Sequence, residues 1–317
     1  MFNSVSRRSF LTIGGAALAG TQIMASDDVA KKATNNFCLN TSTIRDNGKP
    51  RPLAELIEVT AKAGYGAIEP WIVELDEFRK KEKLSDAKKR IADAGLVVPD
   101  AIGFAEWIVD DPVKRKKGLE QAKRDMDLVQ QIGGTHLAAP PVGATGGTSQ
   151  RDDPKASQTT LDLIAAADRY RALLELGKTM GITPIVELWG FSKNVSRLGE
   201  AVLIASECGL AGGGILPDVY HLYKGGSDFA GLKMLSGHAI GIFHVNDYPK
   251  IERARIVDAD RVYPGDGVAP LYDVFATLKQ IGFNGFYSIE LFNRDYWKQD
   301  PLVVAKTGLE KLKAFVS

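Results

Sequence analysis

The sequence predicts a single-domain (β/α)8 (TIM) barrel, and three observations carry that prediction. Short apolar runs alternate with longer amphipathic segments throughout residues 37–317. The amphipathic segments repeatedly stop at a glycine, which is the residue expected just past the end of a helix. Eight strand-like runs are present, and the length of the chain suits one such barrel.

The eight strand-like runs come in regular order with helical patterns between them. They lie at 37–43, 67–72, 97–103, 135–140, 183–189, 213–219, 239–246 and 285–292. The helical patterns stop at Gly64, Gly95, Gly133, Gly181, Gly209 and Gly282. This order indicates βα units with parallel strands. A doubly wound sheet is the rival fold, but the first strand is followed by STIRDNG rather than by a glycine-rich phosphate loop.

Composition and charge exclude several classes of protein. The chain has 317 residues, of which 44% are hydrophobic and 25% charged, and these values are typical of a globular protein. The net charge of +1 gives no basic excess that would favour nucleic acid as a partner. Cys38 and Cys208 lie far apart and are interpreted as buried apolar residues rather than as a disulfide.

The N-terminus is predicted to be a targeting segment. Arg7 and Arg8 precede an apolar run at 11–19 that is too short for a permanent membrane anchor. The segment resembles a twin-arginine export signal with cleavage after Ala25. We therefore expect a signal peptide at 1–25, a linker at 26–36 and the barrel at 37–317. This organisation predicts recognition by the twin-arginine translocation machinery and a periplasmic location.

Four ionisable residues end the last four strand-like runs. They are Glu187, Asp218, His244 and Glu290. A charge at the end of an apolar strand is costly unless it has a partner. Reactive residues of such barrels lie at the carboxyl ends of the strands, and neighbouring strands are about 4.8 Å apart. The four side chains are therefore expected to bind one divalent metal ion, with Mn²⁺ the first choice and Mg²⁺, Co²⁺ and Zn²⁺ as alternatives.

The motifs around these residues resemble a known family. TPIVELWG, LPDVYH, IFHVND and YSIELF occur in this order, as in the sugar isomerase and epimerase family of xylose isomerase-like barrels. That family includes tagatose 3-epimerases, hydroxypyruvate isomerases, and inosose isomerases and dehydratases. The resemblance implies that Glu187, Asp218, His244 and Glu290 hold one metal. It also implies that Glu187 and Glu290 are catalytic and move the substrate proton.

The same resemblance implies two substrate contacts and contains one departure. His221 follows from the Asp-x-x-His motif, and Arg261 matches the arginine that precedes Pro-Gly-x-Gly in the family. Lys193 stands where the epimerases usually carry an acidic substrate contact, which weakens a tagatose epimerase assignment. The connection at 249–264 either covers the site or is a plain surface excursion.

The predicted chemistry is proton transfer next to a carbonyl group. A cation that binds the carbonyl and hydroxyl oxygens stabilises the enediolate, and two carboxylates act as base and acid. The sequence thus predicts a metal-dependent isomerase or epimerase of a sugar, keto-sugar or cyclitol. A lyase that acts by β-elimination on a 3-keto sugar or inosose is the alternative, followed by a non-catalytic sugar-binding protein. An apurinic-site endonuclease is disfavoured, because that class needs more histidines than the four present here and a basic face for DNA.

Further substrate contacts are expected from aromatic and polar residues near strand ends. All four tryptophans lie at or after such ends, and we favour Trp107 and Trp189 for contact with sugar C–H surfaces; packing under loops is the alternative. Glu69 is predicted to contact a substrate hydroxyl, unless it forms a buried ion pair. His136 is a further acid or base, or a core histidine. Similar proteins are often dimers or tetramers, so a homo-oligomer is left open.

Overall fold

Seven short parallel strands surround one axis in the structure, a computed structural model that describes residues 35–146 and 160–316. They are β1 (Phe37–Asn40), β2 (Ala67–Glu69), β3 (His136–Ala139), β4 (Thr183–Glu187), β5 (Gly214–Leu216), β6 (Ile242–Val245) and β7 (Phe286–Ile289). All the paired strands run parallel, in the orders β2-β1-β7-β6 and β3-β4-β5. The predicted signal peptide, most of the predicted linker and most of the loop after β3 lie outside the described residues.

Single bridges close the two sheets into a barrel. Val97 pairs with Ala67 of β2, and Ile102 pairs with Ala138 of β3. On the other side, Asp218 pairs with His244. The strand predicted at 97–103 is therefore in place, but it is bridged only at isolated points. Pro99 lies in its middle and has no N–H to donate to a ladder.

Helices cover the outside of the barrel. They are α1 (Leu53–Ala63), α2 (Ile72–Arg79), α3 (Leu84–Asp93), α4 (Pro112–Gln131), α5 (Leu163–Met180), α6 (Leu198–Glu207), α7 (Val219–Gly225), α8 (Leu271–Gln280) and α9 (Pro301–Val316). The six glycines predicted to end helices all have positive φ, between 68° and 95°. The predicted helix ends are thus confirmed, because glycine adopts this conformation without steric cost.

One layer of side chains fills the barrel interior beneath the strand ends. Each strand, and the bridged segment at 97–103, contributes one residue to it: Cys38, Ala67, Ile102, Ala138, Ile185, Leu216, Ile242 and Phe286. A larger apolar cluster packs the strands against the helices. Cys38 and Cys208 are free and buried, as predicted. Across the described ranges, no helix combines the length and apolar character needed to cross a membrane.

Candidate active site

The four predicted metal ligands lie at the carboxyl ends of neighbouring strands. Glu187 is the last residue of β4, His244 lies within β6, and Glu290 directly follows β7. Asp218 follows β5 by two residues and also caps α7, since its Oδ1 accepts a hydrogen bond from His221 N at 2.7 Å. All four side chains are buried. The positions of Glu187, His244 and Glu290 on their strands, and the helix cap made by Asp218, place all four side chains at the same end of the barrel.

Three of the four come together as a candidate metal-binding group. Asp218, His244 and Glu290 each offer a ligand atom within 4.8 Å of the others. His244 Nδ1 lies 3.2 Å from Glu290 Oε2 and 3.8 Å from Asp218 Oδ2. This buried nitrogen makes no hydrogen bond. An unsatisfied imidazole nitrogen between two carboxylates is a donor set that fits a divalent cation.

Glu69 holds His244 from the opposite side. Its carboxylate oxygens lie 2.9 and 3.1 Å from His244 Nε2, and they also accept hydrogen bonds from Asn40 and Ser288. A carboxylate can only accept, so Nε2 carries a proton and Glu69 turns Nδ1 toward Asp218 and Glu290; a metal bound there would take the place of the Nδ1 proton. Burial alone would lower the pKa of His244, but Glu69 and Glu290 raise it well above its usual range.

Substitution Glu69→Gln is expected to weaken metal binding by about 10–100-fold, because a partner that orients a histidine ligand sets its tautomer and basicity. Metal affinity measured by competition with a chromogenic chelator would show the change. Glu77→Gln, on the exposed face of α2, is the matched control and should leave affinity unaltered. Equal affinities of Glu69→Gln and wild type would show that Glu69 does not orient His244.

Glu187, at the end of β4, lies outside the close group formed by Asp218, His244 and Glu290. Its Oε2 is buried and has no hydrogen-bond partner. Burial, reinforced by the charge of Glu290, raises the pKa of Glu187 to about 8. Burial would also raise the pKa of Glu290, but His244 and Arg261 hold it well below its usual range. Two neighbouring carboxyl groups therefore differ strongly in proton affinity.

Arg261 supplies a buried positive charge to the cluster. Its Nη1 donates to Asp218 Oδ2 at 3.0 Å and to Glu290 Oε2 at 2.8 Å. Its Nη2 donates to Asp258 Oδ1 at 2.7 Å and lies 3.1 Å from His221 Nε2. These contacts partly neutralise three carboxylates and fix His221 beside the site. The predicted substrate contacts His221 and Arg261 are therefore adjacent.

The site opens into a cavity of about 160 Å³. Five of the predicted residues line it: Glu187, Trp189, His221, Arg261 and Glu290. Six further residues complete the lining: Trp71, Ile102, Phe104, Phe191, Asp258 and Phe292. Most of these six residues follow a strand by a few positions. That position in the sequence could have identified them as candidates for the cavity lining. The segment after His244 contributes Asp258 and Arg261, so it covers one side of the site.

Three predicted substrate contacts do not line this cavity. Trp107 is buried against Tyr170 and donates its Nε1 proton to Pro140 O at 2.9 Å, so it is a packing residue. His136 is the first residue of β3 and lies at the opposite end of the barrel, where it lines a separate cavity with His238. Both predictions of substrate contact are corrected by this placement. Glu69 lies behind His244 and is a positioning residue.

A buried carboxylate fixes the segment that carries Arg261. Asp247 accepts four backbone N–H bonds of 2.7–3.1 Å, from Tyr248, Gly265, Gly267 and Ala269. Its backbone also pairs with Val262 in both directions, at 3.0 and 2.9 Å. These bonds hold the two ends of the connection at 249–264 together. Arg261 directly precedes Val262, so the bonds between Asp247 and Val262 also fix the position of Arg261 at the strand ends.

Sequence reasoning missed two polar residues behind the cavity. Asn40 ends β1 and connects Glu69, Glu290 and Trp71 through its amide, with bonds of 2.8, 3.3 and 2.9 Å. Asp100 is fully buried and neither of its oxygens has a hydrogen-bond partner. Burial, together with the charge of Glu69, raises the pKa of Asp100 well above its usual range.

The fold and the site define a (β/α)8 barrel with a candidate donor set for a divalent metal at the carboxyl ends of its strands. The chain belongs to the xylose isomerase-like TIM barrel family, whose profile matches residues 57–315. It is 26% identical to an inosose isomerase of Bacillus velezensis over 89% of this chain and 97% of that protein.

Two further similarities concern another enzyme and a solved structure. A 3-dehydroshikimate dehydratase of Pseudomonas aeruginosa is 24% identical over 82% of this chain and 39% of its own length. The crystal structure of the IOLI protein with a bound zinc atom superposes with a TM-score of 0.78, at 23% identity, over 89% of this chain and 98% of that one. The solved structure shows that the fold is shared.

Proposed function

We propose that this protein is a divalent-metal-dependent isomerase or epimerase that moves a proton next to a carbonyl group of a sugar, keto-sugar or cyclitol. One observation carries the proposal. Glu187, with its buried and unpaired Oε2, lines the same cavity as Glu290, and Glu290 lies beside Asp218 and His244. The similarity to an inosose isomerase over nearly the whole chain supports the same reaction class.

Asp218, His244 and Glu290 would hold the metal, with Glu187 as the fourth ligand that the sequence predicts. The bound cation would supply positive charge at the carbonyl and adjacent hydroxyl oxygens of the substrate, which makes the neighbouring C–H more acidic. Glu69 accepts from His244 Nε2 and so directs Nδ1 toward the metal site, and Arg261 limits repulsion between Asp218 and Glu290.

The two glutamates form an acid and base pair. In the metal-free protein Glu187 keeps its proton at neutral pH, since its pKa is about 8, whereas Glu290 is ionised. A bound cation would ionise Glu187 as well, because ligand carboxylates are deprotonated, and would leave both carboxylates able to accept and return the substrate proton. They extend from β4 and β7, on different sides of the cavity, so a proton can leave one side of the substrate and return from another. That geometry supports epimerisation as well as isomerisation.

A lyase is the second candidate for this site. The same proton abstraction gives elimination when the neighbouring carbon carries a hydroxyl or alkoxide that can leave. The similarity to a 3-dehydroshikimate dehydratase favours this alternative. A 3-keto sugar or an inosose would be the substrate class. Product analysis by NMR would separate the candidates, because elimination yields an alkene carbon and isomerisation does not.

The cellular location forms part of the proposal. Arg7 and Arg8 before an apolar run support recognition by the twin-arginine translocation machinery and a periplasmic protein. Substitution of both arginines by lysine, followed by fractionation of the cells, tests this location. Full periplasmic recovery of the double variant would contradict it.

Removal of the metal is expected to abolish turnover, and Mn²⁺ is expected to restore it with one ion bound per chain. Chelator-treated protein should also gain thermal stability with Mn²⁺, because binding to the folded state stabilises by about 2.7 kcal/mol at a hundredfold excess over Kd. The measurements are metal content, melting temperature and deuterium incorporation into an inosose in D2O. Asp218→Asn should lose the stability gain. A metal-free protein with full activity would contradict the proposal, and restoration by Zn²⁺ alone would contradict the choice of Mn²⁺.

A further inference from the structure

A second cavity lies at the end of the barrel opposite to the predicted metal ligands. Its volume is about 540 Å³. Thr183 and Gly214 begin β4 and β5, Gly241 directly precedes β6, and all three line this cavity. Glu187 ends β4, and a rise of about 3.3 Å per residue places it roughly 13 Å from Thr183 along the strand. The second cavity is therefore separate from the candidate active site.

Missing side chains create the space for this cavity. Four of its lining positions are glycines: Gly212, Gly213, Gly214 and Gly241. A Cβ atom added at Gly241 would lie 3.3 Å from His136 Cδ2 and 3.3 Å from Ile185 Cδ1. Both contacts are tighter than ordinary packing allows without a shift. Glycine at this position thus leaves room for the His136 ring beside an open volume.

The polar side chains of the lining are basic or carry a hydroxyl group. They are Thr135, His136, Lys178, Thr183, Ser236 and His238. Among the described residues that line the cavity there is no aspartate or glutamate. Lys178 is exposed in the last turn of α5 and forms no ion pair within residues 35–146 and 160–316. An oxyanion in this cavity would therefore meet an ammonium group and several hydrogen-bond donors without an opposing carboxylate.

His136 adds a hydrogen-bond acceptor to these donors. Its Nδ1 lies 2.9 Å from Pro99 O, and a carbonyl oxygen only accepts, so Nδ1 carries the proton. Burial lowers the pKa of His136, so the ring is neutral at pH 7 and Nε2 keeps a lone pair. The ring edge formed by Cδ2, the atom next to Nε2, is the one close to Gly241 of the lining. Nε2 is thus placed to accept a hydrogen bond from a hydroxyl group of a ligand.

We infer that this cavity is a second ligand site, which binds a hydroxylated small molecule through an oxyanion, either a phosphate or a carboxylate. Lys178, Ser236 and His238 bind the oxyanion, and His136 accepts a hydrogen bond from the body of the ligand. The volume lies within the range of about 300–1,000 Å³ that is typical of small-molecule sites. The two cavities share no lining residue among those described, so this inference does not depend on the proposed function.

Histidine NMR can report on the two cavities separately. The chain has four histidines; His221 and His244 belong to the candidate active site, whereas His136 and His238 line the second cavity. Protein with ¹⁵N-labelled histidine, loaded with the diamagnetic ion Mg²⁺, would be titrated at constant pH with inorganic phosphate, glucose 6-phosphate, gluconate and methyl glucoside. We expect the three anions to move the signals of His136 and His238, and methyl glucoside to leave both unmoved. The tighter binder of glucose 6-phosphate and gluconate identifies the oxyanion as phosphate or carboxylate.

Two variants separate the oxyanion contact from the hydroxyl contact. Lys178→Gln should lower the affinity for all three anions about tenfold, the weight of one charge-assisted hydrogen bond. Lys306→Gln, at an exposed position of α9, is the matched control and should bind as wild type does. His136→Asn can still donate to Pro99 O but lacks the acceptor, so it should weaken glucose 6-phosphate about fivefold and leave inorganic phosphate unchanged.

Three results would overturn the inference. The first is that none of the anions moves the His136 and His238 signals at millimolar concentration, or that only His221 and His244 respond. The second is equal anion affinity of Lys178→Gln and wild type. The third is methyl glucoside that binds at this cavity as tightly as gluconate, because the cavity would then not select an oxyanion.

Discussion

Glu187→Gln is expected to lower kcat by about 10²–10⁴-fold, the contribution typical of a positioned general acid or base. Glutamine keeps the shape of the side chain but cannot exchange the proton. In the metal-free protein the variant should fold at least as stably as wild type, because Glu187 is buried with its Oε2 unpaired. Deuterium incorporation by NMR and thermal melting measure the two effects.

Glu175→Gln is the matched control for this experiment, since Glu175 is exposed on α5. It should leave turnover and stability at wild-type values. Retention of full turnover by Glu187→Gln would remove Glu187 from the reaction. Retained ligand binding with lost turnover would at the same time separate an enzyme from a sugar-binding protein.

Glu290→Ala is expected to abolish metal binding and to destabilise the metal-free protein by about 3–5 kcal/mol. Its carboxylate lies 2.8 Å from Arg261 and 3.2 Å from His244. Removing Glu290 takes one carboxylate from both Arg261 and His244 and leaves their buried charges less well compensated, which is the costly way to break a buried ion pair. Urea unfolding of the chelator-treated protein and metal analysis would give both numbers.

A second substitution separates charge from packing in this prediction. Glu290→Gln keeps the volume and should still lose most metal affinity and turnover, because the negative charge is absent. Glu310→Ala, at an exposed position of α9, serves as the control with no expected change. Metal binding by Glu290→Ala at wild-type affinity would exclude Glu290 from the ligand set.

The placement of the site on the barrel could be predicted because strand ends leave a local signal. Glu187 and Glu290 each end an apolar run, and parallel strands bring their ends to one edge. The same reasoning should have excluded His136, which stands at the start of its run rather than at its end. The prediction that Trp107 contacts substrate is wrong for another reason. This residue also follows a strand end, but the chain turns it into the core against Tyr170.

The contacts behind the ligands could not be predicted from local pattern. Asn40 and Glu290 are 250 residues apart in sequence and meet only because β1 pairs with β7. The bond from Glu69 to His244 spans 175 residues. Such partners depend on barrel closure and on side-chain rotamers. The periodicity of the sequence contains no information about barrel closure or rotamers. The roles of Asn40 and Glu69 could therefore be identified only from the three-dimensional structure.

The anchoring of the segment that carries Arg261 limits how such a protein can diversify. The backbone on both sides of residues 249–257 is fastened at Asp247 and Val262. Between these points the stretch is held against α7, because Tyr223 donates to Ile251 O at 2.7 Å and Lys224 donates to Arg253 O at 2.8 Å. Since Asp218 caps α7, sequence changes in this stretch reach a predicted metal ligand, and a new substrate preference that arises there is expected to require compensating changes in α7.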